Sequence, residues 1–117
     1  MARKSSKPEK LAESKFVTAV HEIGGICEKQ QMFGAYGRIG FSDRLTILPR
    51  NTIIFLEFKR QGKGASKVSA HQRRRHRHLK RLGVATYVVY SYEKAMRIAK
   101  RHLKEVGFKY RRFPSWK

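Results

Sequence analysis

The chain has 117 residues, of which 40% are hydrophobic and 31% are charged. This length supports one domain with a small core, and the hydrophobic fraction is too high for a fully disordered protein. The 28 lysines and arginines outnumber the 8 aspartates and glutamates, which leaves a formal net charge of +20. Nucleic acid is the expected partner, because phosphates relieve the self-repulsion of so basic a domain. The single cysteine, Cys27, excludes an internal disulfide and a thiolate metal cluster.

The N-terminal part of the chain predicts a basic arm and a helix. Residues 1–10 are polar and basic, which is typical of a disordered arm and argues against a signal peptide. A helix is predicted from about Glu9 to Ile23, because apolar residues recur there at helical spacing before two glycines. From Ile26 to Gly40 the pattern is weak, although a strand could begin at Ile26.

The rest of the chain alternates strands and helices. Strands are predicted at 44–48, 52–59 and 85–91, and helices at 69–82 and 92–106. Ser69 is a plausible N-cap, and Gly83 fits the end of its helix. Residues 49–51 are turn formers, so the first two strands should form an antiparallel hairpin. The residues expected to face inward in the last helix are Ala95, Ile98, Ala99, Leu103 and Val106. This order predicts an α/β fold, a small mixed β-sheet flanked by helices, with the last strand parallel to its neighbour.

Three charged residues are predicted to converge at the end of the hairpin. Glu57 and Lys59 are two residues apart on a strand, so both side chains project to one face while Phe58 points to the other. Asp43 is the only aspartate and begins the preceding strand, so hairpin pairing should place it beside Glu57. Two carboxylates can hold Mg²⁺ or Mn²⁺, which would bind a phosphate and activate a water, and a lysine can assist. A simple ion pair at a sheet edge is the alternative interpretation of Glu57 and Lys59.

Two further polar residues fall on apolar faces of the predicted helices. Glu13 shares the face of Phe16 and could add a carboxylate, either as an outer group or as a ligand of a second metal. Gln72 falls on the inward face with Leu79 and Leu82, where a polar group needs a partner. The alternatives are a solvated carboxylate for Glu13 and a capping or solvent-facing amide for Gln72.

The segment from Gly40 to Ser91 closely resembles the VRR-NUC (virus-type replication-repair nuclease) domain of the PD-(D/E)XK nuclease superfamily. The family pattern is an acidic helix, a Gly-x-Pro-Asp turn, a strand that ends Glu-x-Lys, a Gln that opens a helix, and a Gly before an apolar strand. These elements fall on Glu13, Gly40 with Asp43, Glu57 with Lys59, Gln72 and Gly83. Ser42 stands where the pattern has proline, which would stiffen the turn but binds no metal. The similarity covers about 11–95 and is greatest to the stand-alone phage form.

The resemblance implies roles for particular residues. Metal binding is implied for Asp43, Glu57 and the backbone carbonyl of Phe58, with Mg²⁺ or Mn²⁺ as the cofactor. A catalytic role is implied for Lys59 and a supporting one for Glu13, a possible metal ligand, and Gln72. The resemblance also implies a restriction-endonuclease-like core at 11–107, followed by a basic and aromatic tail at 108–117.

The implied activity is hydrolysis of DNA phosphodiester bonds by an endonuclease. Similar phage proteins act as homodimers on branched DNA, including four-way (Holliday) junctions. No segment is long and apolar enough to cross a bilayer, so we expect no membrane partner and a soluble, intracellular protein. Its place would be the cytoplasm of a bacterial host if a phage encodes the chain.

Basic residues around the middle helix are the predicted DNA contacts. They are Arg73, Arg74, Arg77, Lys80 and Arg81 of the helix, with Arg60 and Lys63 of the loop before it. A merely solvated basic face is the alternative. The spacing of His71, His76 and His78 argues against a histidine metal site. The tail aromatics Tyr110, Phe113 and Trp116 could stack on bases, but we expect them to pack on the sheet edge.

Two other functions remain open at this point. A non-catalytic basic nucleic-acid-binding protein would explain the net charge but neither Asp43 nor the strand carboxylate Glu57. A different nuclease of the superfamily, such as an archaeal-type junction resolvase, would explain both, although Gln72 at the start of the basic helix argues against it.

Overall fold

A computed structural model of the protein describes residues 8–30, 42–59 and 70–117. In these ranges the helices and strands, in chain order, are α1 Pro8–Glu22, β1 Ile26–Gln30, β2 Ser42–Leu48, β3 Thr52–Phe58, α2 Ala70–Arg81, β4 Ala85–Val89 and α3 Tyr92–Glu105. A short 3-10 helix, Pro114–Trp116, follows near the C-terminus. Helix α1 begins inside the predicted arm, of which residues 1–7 lie outside the described ranges, as does the predicted cap Ser69.

The four strands form one mixed sheet in the order β1-β2-β3-β4. The pairs β1-β2 and β2-β3 are antiparallel, whereas β3 and β4 are parallel and connected through α2. The predicted hairpin and the predicted parallel strand are therefore both confirmed. At the hairpin turn, Arg50 and Asn51 have φ values of 62° and 58°. Asparagine tolerates this left-handed region, and the Arg50 guanidinium is held by a 3.0 Å hydrogen bond to the carbonyl of Val106.

The hydrophobic core lies between one face of the sheet and the helices α1 and α3. Ile54, Leu56 and Phe58 alternate along β3 and are buried on this face. The ring of Phe16 in α1 lies 5.8 Å from that of Phe58, which places α1 on the same face. The pattern follows from strand alternation, because every second side chain of a strand shares a face.

Helix α2 covers the other face. Its His76 ring meets the Phe55 ring edge-on with the centroids 6.2 Å apart, and the Arg75 guanidinium lies 5.1 Å from the Phe55 centroid. The helix ends at Arg81, and Gly83 two residues later has a φ of 90°, the left-handed conformation expected after a helix C-terminus. Leu82 is 69% exposed, so the expectation that it faces inward is wrong, because the helix has ended at Arg81.

Helix α3 is the element that the sequence pattern describes best. The Ser91 side chain accepts a hydrogen bond from the Lys94 amide and caps the helix. Four of the five residues predicted to face inward are buried, namely Ala95, Ile98, Ala99 and Leu103. Val106 is instead 36% exposed, because the helix has ended one residue earlier.

The C-terminal tail packs against the rest of the domain. Trp116 is fully buried, and its indole nitrogen donates a 2.9 Å hydrogen bond to the carbonyl of Ala19 in α1. Tyr110 is 9% exposed and contacts the Trp116 ring at 5.9 Å between centroids. These two aromatics pack, as predicted, but Trp116 does so on α1 and not on the sheet edge. Among the described helices, none has the length and apolar character needed to cross a membrane.

Candidate active site

The end of β3 carries two charged side chains that water does not reach. Glu57 is 0% and Lys59 is 1% exposed, and Lys59 Nζ lies 3.8 Å from Glu57 Oε2. The Lys59 amide donates a 2.9 Å hydrogen bond to the carbonyl of Val89, so the pairing with β4 continues past the end of β3. This pairing keeps the backbone extended and holds the side chains of Glu57 and Lys59 on one face.

Burying both charges is expensive. Transfer of a carboxylate or an ammonium from water costs several kcal/mol per ion even after the protein relaxes, and an apolar pair of similar volume is often at least as stable. Stability alone therefore does not account for Glu57 and Lys59, and buried ionisable groups of this kind cluster at functional sites.

Asp43 lies directly opposite Glu57 in the register of β2 and β3. Directly opposed residues of an antiparallel pair belong to the same face, with Cβ atoms about 5 Å apart. The row continues to Gln30 of β1 on one side and Val88 of β4 on the other. The backbone thus places position 43 beside Glu57, while the side chain of Asp43 lies outside the described part of the structure.

His76 of α2 also reaches this site. Its Nε2 lies 3.0 Å from Glu57 Oε1, and its side chain is 13% exposed. His76 is not among the site residues predicted from the sequence, because the histidines were weighed only as a metal-binding set. The available signal was the spacing: His76 follows Gln72 by one helical turn, so the two positions share a face of α2. The side chain of Gln72 itself lies outside the described part of the structure.

Comparisons with known proteins identify the family. No family model matches the chain. A solved structure described as "VRR_NUC domain" superposes with a TM-score of 0.63 at 26% identity, over 81% of this chain and 97% of that one. A protein named "Putative nuclease p44", from Acyrthosiphon pisum secondary endosymbiont phage 1, is 39% identical over 85 residues, which are 73% of this chain and 85% of the relative. The chain belongs to the VRR-NUC family.

The VRR-NUC assignment confirms the resemblance on which the fold was predicted. The mixed four-stranded sheet between helices is the α/β architecture that the sequence implied. The roles of individual residues are not part of this agreement. Those roles are inferred from the geometry around Glu57.

Glu13, for which a supporting role is predicted, contacts Arg44 in the structure. It is 5% exposed and pairs with Arg44, whose Nε lies 2.5 Å from Glu13 Oε2. Arg44 is opposite Leu56 in the register and also donates a 3.2 Å hydrogen bond to the carbonyl of Cys27. The contact of Glu13 is therefore on the face that α1 covers, whereas Glu57 projects to the face of α2.

The Cys27 thiol lies beside this arginine and is not a candidate nucleophile. Burial raises its pKa, and a contact with Thr46 Oγ1 at 3.5 Å and the nearby charge of Arg44 oppose the rise only in part. A neutral, buried thiol reacts slowly, because the thiolate is the reactive form.

The donor set at the end of β3 fits a hard divalent cation. The buried carboxylate of Glu57 and the aspartate position opposite it offer oxygen ligands, the type that Mg²⁺ and Mn²⁺ prefer, and the backbone carbonyl of Phe58 lies between Glu57 and Lys59 in the chain. Among the side chains that the structure describes, no three His, Cys, Asp or Glu residues cluster as a metal site. The fit therefore depends on Asp43, which joins Glu57 through the strand register.

The exposed side of α2 carries the predicted DNA contacts. Arg73, Arg74, Arg77, Lys80 and Arg81 are all exposed. They belong to the same helix as His76, the residue of α2 whose ring reaches Glu57. The remaining two predicted contacts, Arg60 and Lys63, lie outside the described residues.

Proposed function

We propose that the chain is a metal-dependent endonuclease that hydrolyses phosphodiester bonds in branched DNA, four-way junctions included. One observation carries the proposal: the buried Glu57 carboxylate lies between Lys59 and His76, directly opposite the register position of Asp43. The VRR-NUC family, the relative named as a nuclease and the net charge of +20 support the substrate class.

In this proposal Asp43, Glu57 and the carbonyl of Phe58 would hold Mg²⁺ or Mn²⁺. When bound, a divalent ion supplies Lewis-acid polarisation of the phosphate and a more acidic water. His76 Nε2 lies 3.0 Å from Glu57 Oε1 and Lys59 Nζ lies 3.8 Å from Oε2, so these two neighbours are proposed to fix the orientation of the carboxylate. A carboxylate fixed in this way keeps its oxygen in place for a ligand.

Lys59 contributes a fixed positive charge. Its Nζ is excluded from solvent, so its field is weakly screened and acts strongly on charge that develops within a few ångströms. It stabilises the negative charge that accumulates on the phosphate during attack and favours loss of a proton from the attacking water. Gln72, one turn before His76, is proposed to place the substrate, and Glu13 to support the site through its neighbour Arg44.

The basic side of α2 is proposed to bind DNA phosphates and to set the position of the strand to be cut. Phosphate contacts fix the orientation of a protein on DNA without reading its sequence, which suits a nuclease that recognises DNA shape. A four-way junction has two equivalent strands to cut. A homodimer with twofold symmetry, and with one Glu57 site in each protomer, matches that symmetry.

A nicking assay on a four-way junction in the presence of Mn²⁺ tests the proposal. Wild-type protein should cut, and Glu57→Ala should not. The matched control is Glu28→Ala, which removes an exposed carboxylate from the same sheet and should cut like the wild type. Cutting by Glu57→Ala at the wild-type rate would remove the proposed chemistry. DNA binding that EDTA does not change, without cleavage by the wild type in any divalent metal, would indicate a non-catalytic nucleic-acid-binding protein.

A further inference from the structure

Helix α3 presents a row of cations that the proposed active site does not use. Lys94, Arg97, Arg101 and Lys104 are all exposed. Their spacings of three, four and three residues place them along one side of the helix. At a rise of 1.5 Å per residue the row is about 15 Å long. We call these four residues the α3 row.

The α3 row lies on the opposite side of the sheet from the active site. Tyr87 of β4 is opposite Leu56 in the register and contacts His102 of α3, with 2.7 Å between Tyr87 Oη and His102 Nε2. Helix α3 therefore covers the face of Leu56, whereas α2 covers the face of Phe55 and Glu57. A DNA duplex that lies along α2 at the active site cannot also lie along the α3 row.

Among the described residues, no carboxylate pairs with a cation of the α3 row. Within residues 8–30, 42–59 and 70–117, no ion pair involves any of the four. The two glutamates of α3 stand at its ends, and Glu105 lies 4.0 Å from His102 Nδ1. Arg101 is held in place, because it donates a 3.0 Å hydrogen bond to Tyr87 Oη.

The charged surface continues from α3 into the tail. An open cavity of about 430 Å³ is lined by Lys104 and by residues 107–111, which include Lys109 and Arg111. The rings of Phe108 and Phe113 stack with 6.4 Å between their centroids. The Arg112 guanidinium lies 4.9 Å from the centroid of the Phe113 ring. Residues 92–117 contain nine lysines and arginines against two glutamates. Aligned like charges repel one another, and a polyanion relieves that repulsion.

We propose that the α3 row, together with the cavity beside Lys104, is a second binding surface for nucleic-acid phosphates. One protomer then holds two helical arms of branched DNA, one along α2 at the active site and one along α3 on the other side of the sheet. The inference rests on the proposed function for its substrate. It goes further in assigning DNA contacts to α3, which takes no part in the chemistry.

NMR mapping tests where DNA binds. Metal-free protein in EDTA is titrated with a short DNA duplex, and the backbone amide shifts are followed. The proposal predicts shifts in two separate regions, α2 with the end of β3 and α3 with residues 107–113, and saturation at two duplexes per protomer. Shifts confined to α2 and the end of β3 would overturn it.

A pair of variants measures the contribution of the α3 row. Arg97→Gln with Lys104→Gln removes two of its charges, and Arg97→Lys with Lys104→Arg is the matched control that keeps them. For binding to a four-way junction, the slope of log K against log salt should fall in magnitude by about 1.8 in the first variant, at 0.9 per phosphate contact, and stay unchanged in the control. An unchanged slope in both would overturn the proposal.

The outcome for the active site is read separately. The double variant Arg97→Gln with Lys104→Gln should still cleave at the wild-type rate when the DNA substrate is too small to reach α3 from the α2 surface. If the wild type cleaves DNA but the backbone amide shifts of α3 do not change on DNA binding, the second surface is rejected and the nuclease is not. Shifts at α3 without any cleavage would reject the nuclease and leave the second surface standing.

Discussion

Replacing Glu57 by glutamine removes one charge of a pair from which water is excluded. Both side chains are 0% exposed, and 3.8 Å separates Lys59 Nζ from Glu57 Oε2. At an effective dielectric constant of 20 the attraction over this distance is about 4 kcal/mol, and loss of one partner of a buried pair costs about 3–5 kcal/mol. We expect Glu57→Gln to lower the free energy of unfolding by about 3 kcal/mol, which corresponds to a fall in Tm of roughly 10 °C.

The double variant Glu57→Gln with Lys59→Met separates stability from chemistry. Methionine fills a similar volume without a charge, so the double variant should recover most of the stability that the single variant loses. Neither variant should cut DNA. Urea denaturation at neutral pH measures the first effect, and the junction nicking assay measures the second.

Two results would refute the reasoning about this pair. If Glu57→Gln unfolds at the wild-type urea midpoint, the two charges do not stabilise each other. If the double variant cuts DNA, the pair is structural, as the simple ion-pair interpretation holds.

Three further predictions concern other contacts. His76→Ala should weaken Mn²⁺ binding by about 10–100-fold in calorimetry. The control His76→Gln keeps a hydrogen-bond donor, so it should lose less Mn²⁺ affinity. Equal Mn²⁺ affinities in the wild type and both variants would show that His76 does not position the carboxylate of Glu57. Trp116→Phe leaves the buried carbonyl of Ala19 without its 2.9 Å hydrogen bond and should cost about 1–2 kcal/mol in urea denaturation, and an unchanged midpoint would contradict this. The pKa of His102 is lowered from 6.5, chiefly by burial, with the charge of Arg101 adding to the shift and Glu105 opposing it. Because the unfolded chain binds the proton more readily, the contribution of His102 to stability is present above pH 6.5 and declines as the pH falls below it. An NMR titration of His102 with its midpoint at or above pH 6.5 would contradict the lowered pKa.

The hairpin was predictable because strand periodicity and register are local properties. Alternation places Glu57 and Lys59 on one face, and a short turn fixes which residue of β2 is opposite Glu57. The parallel strand β4 followed from the helix between β3 and β4, because a helical crossover is the usual connection between parallel strands. The core face of α3 followed from its apolar spacing up to Leu103, and the prediction was wrong only at Val106, beyond the end of the helix.

The contacts between separate elements were not predictable in this way. The approach of His76 to Glu57 depends on which face of the sheet α2 covers and on where along the strands it packs. The pairing of Glu13 with Arg44 depends on the corresponding position of α1. Helical spacing shows only that a residue faces inward, not which strand residue it meets. The packing of Trp116 on α1 joins positions almost a full chain length apart, which no local pattern indicates.

In the proposed active site, Glu57 and Asp43 hold one divalent ion between neighbouring strands. Anomalous diffraction from a crystal soaked in Mn²⁺ tests it most directly, with Glu57→Gln as the control crystal. We expect a single anomalous peak within about 2.3 Å of a carboxylate oxygen of each residue, and no peak in the control. A crystal in which Mn²⁺ binds elsewhere, or in which the carboxylates of Asp43 and Glu57 point apart, would contradict it.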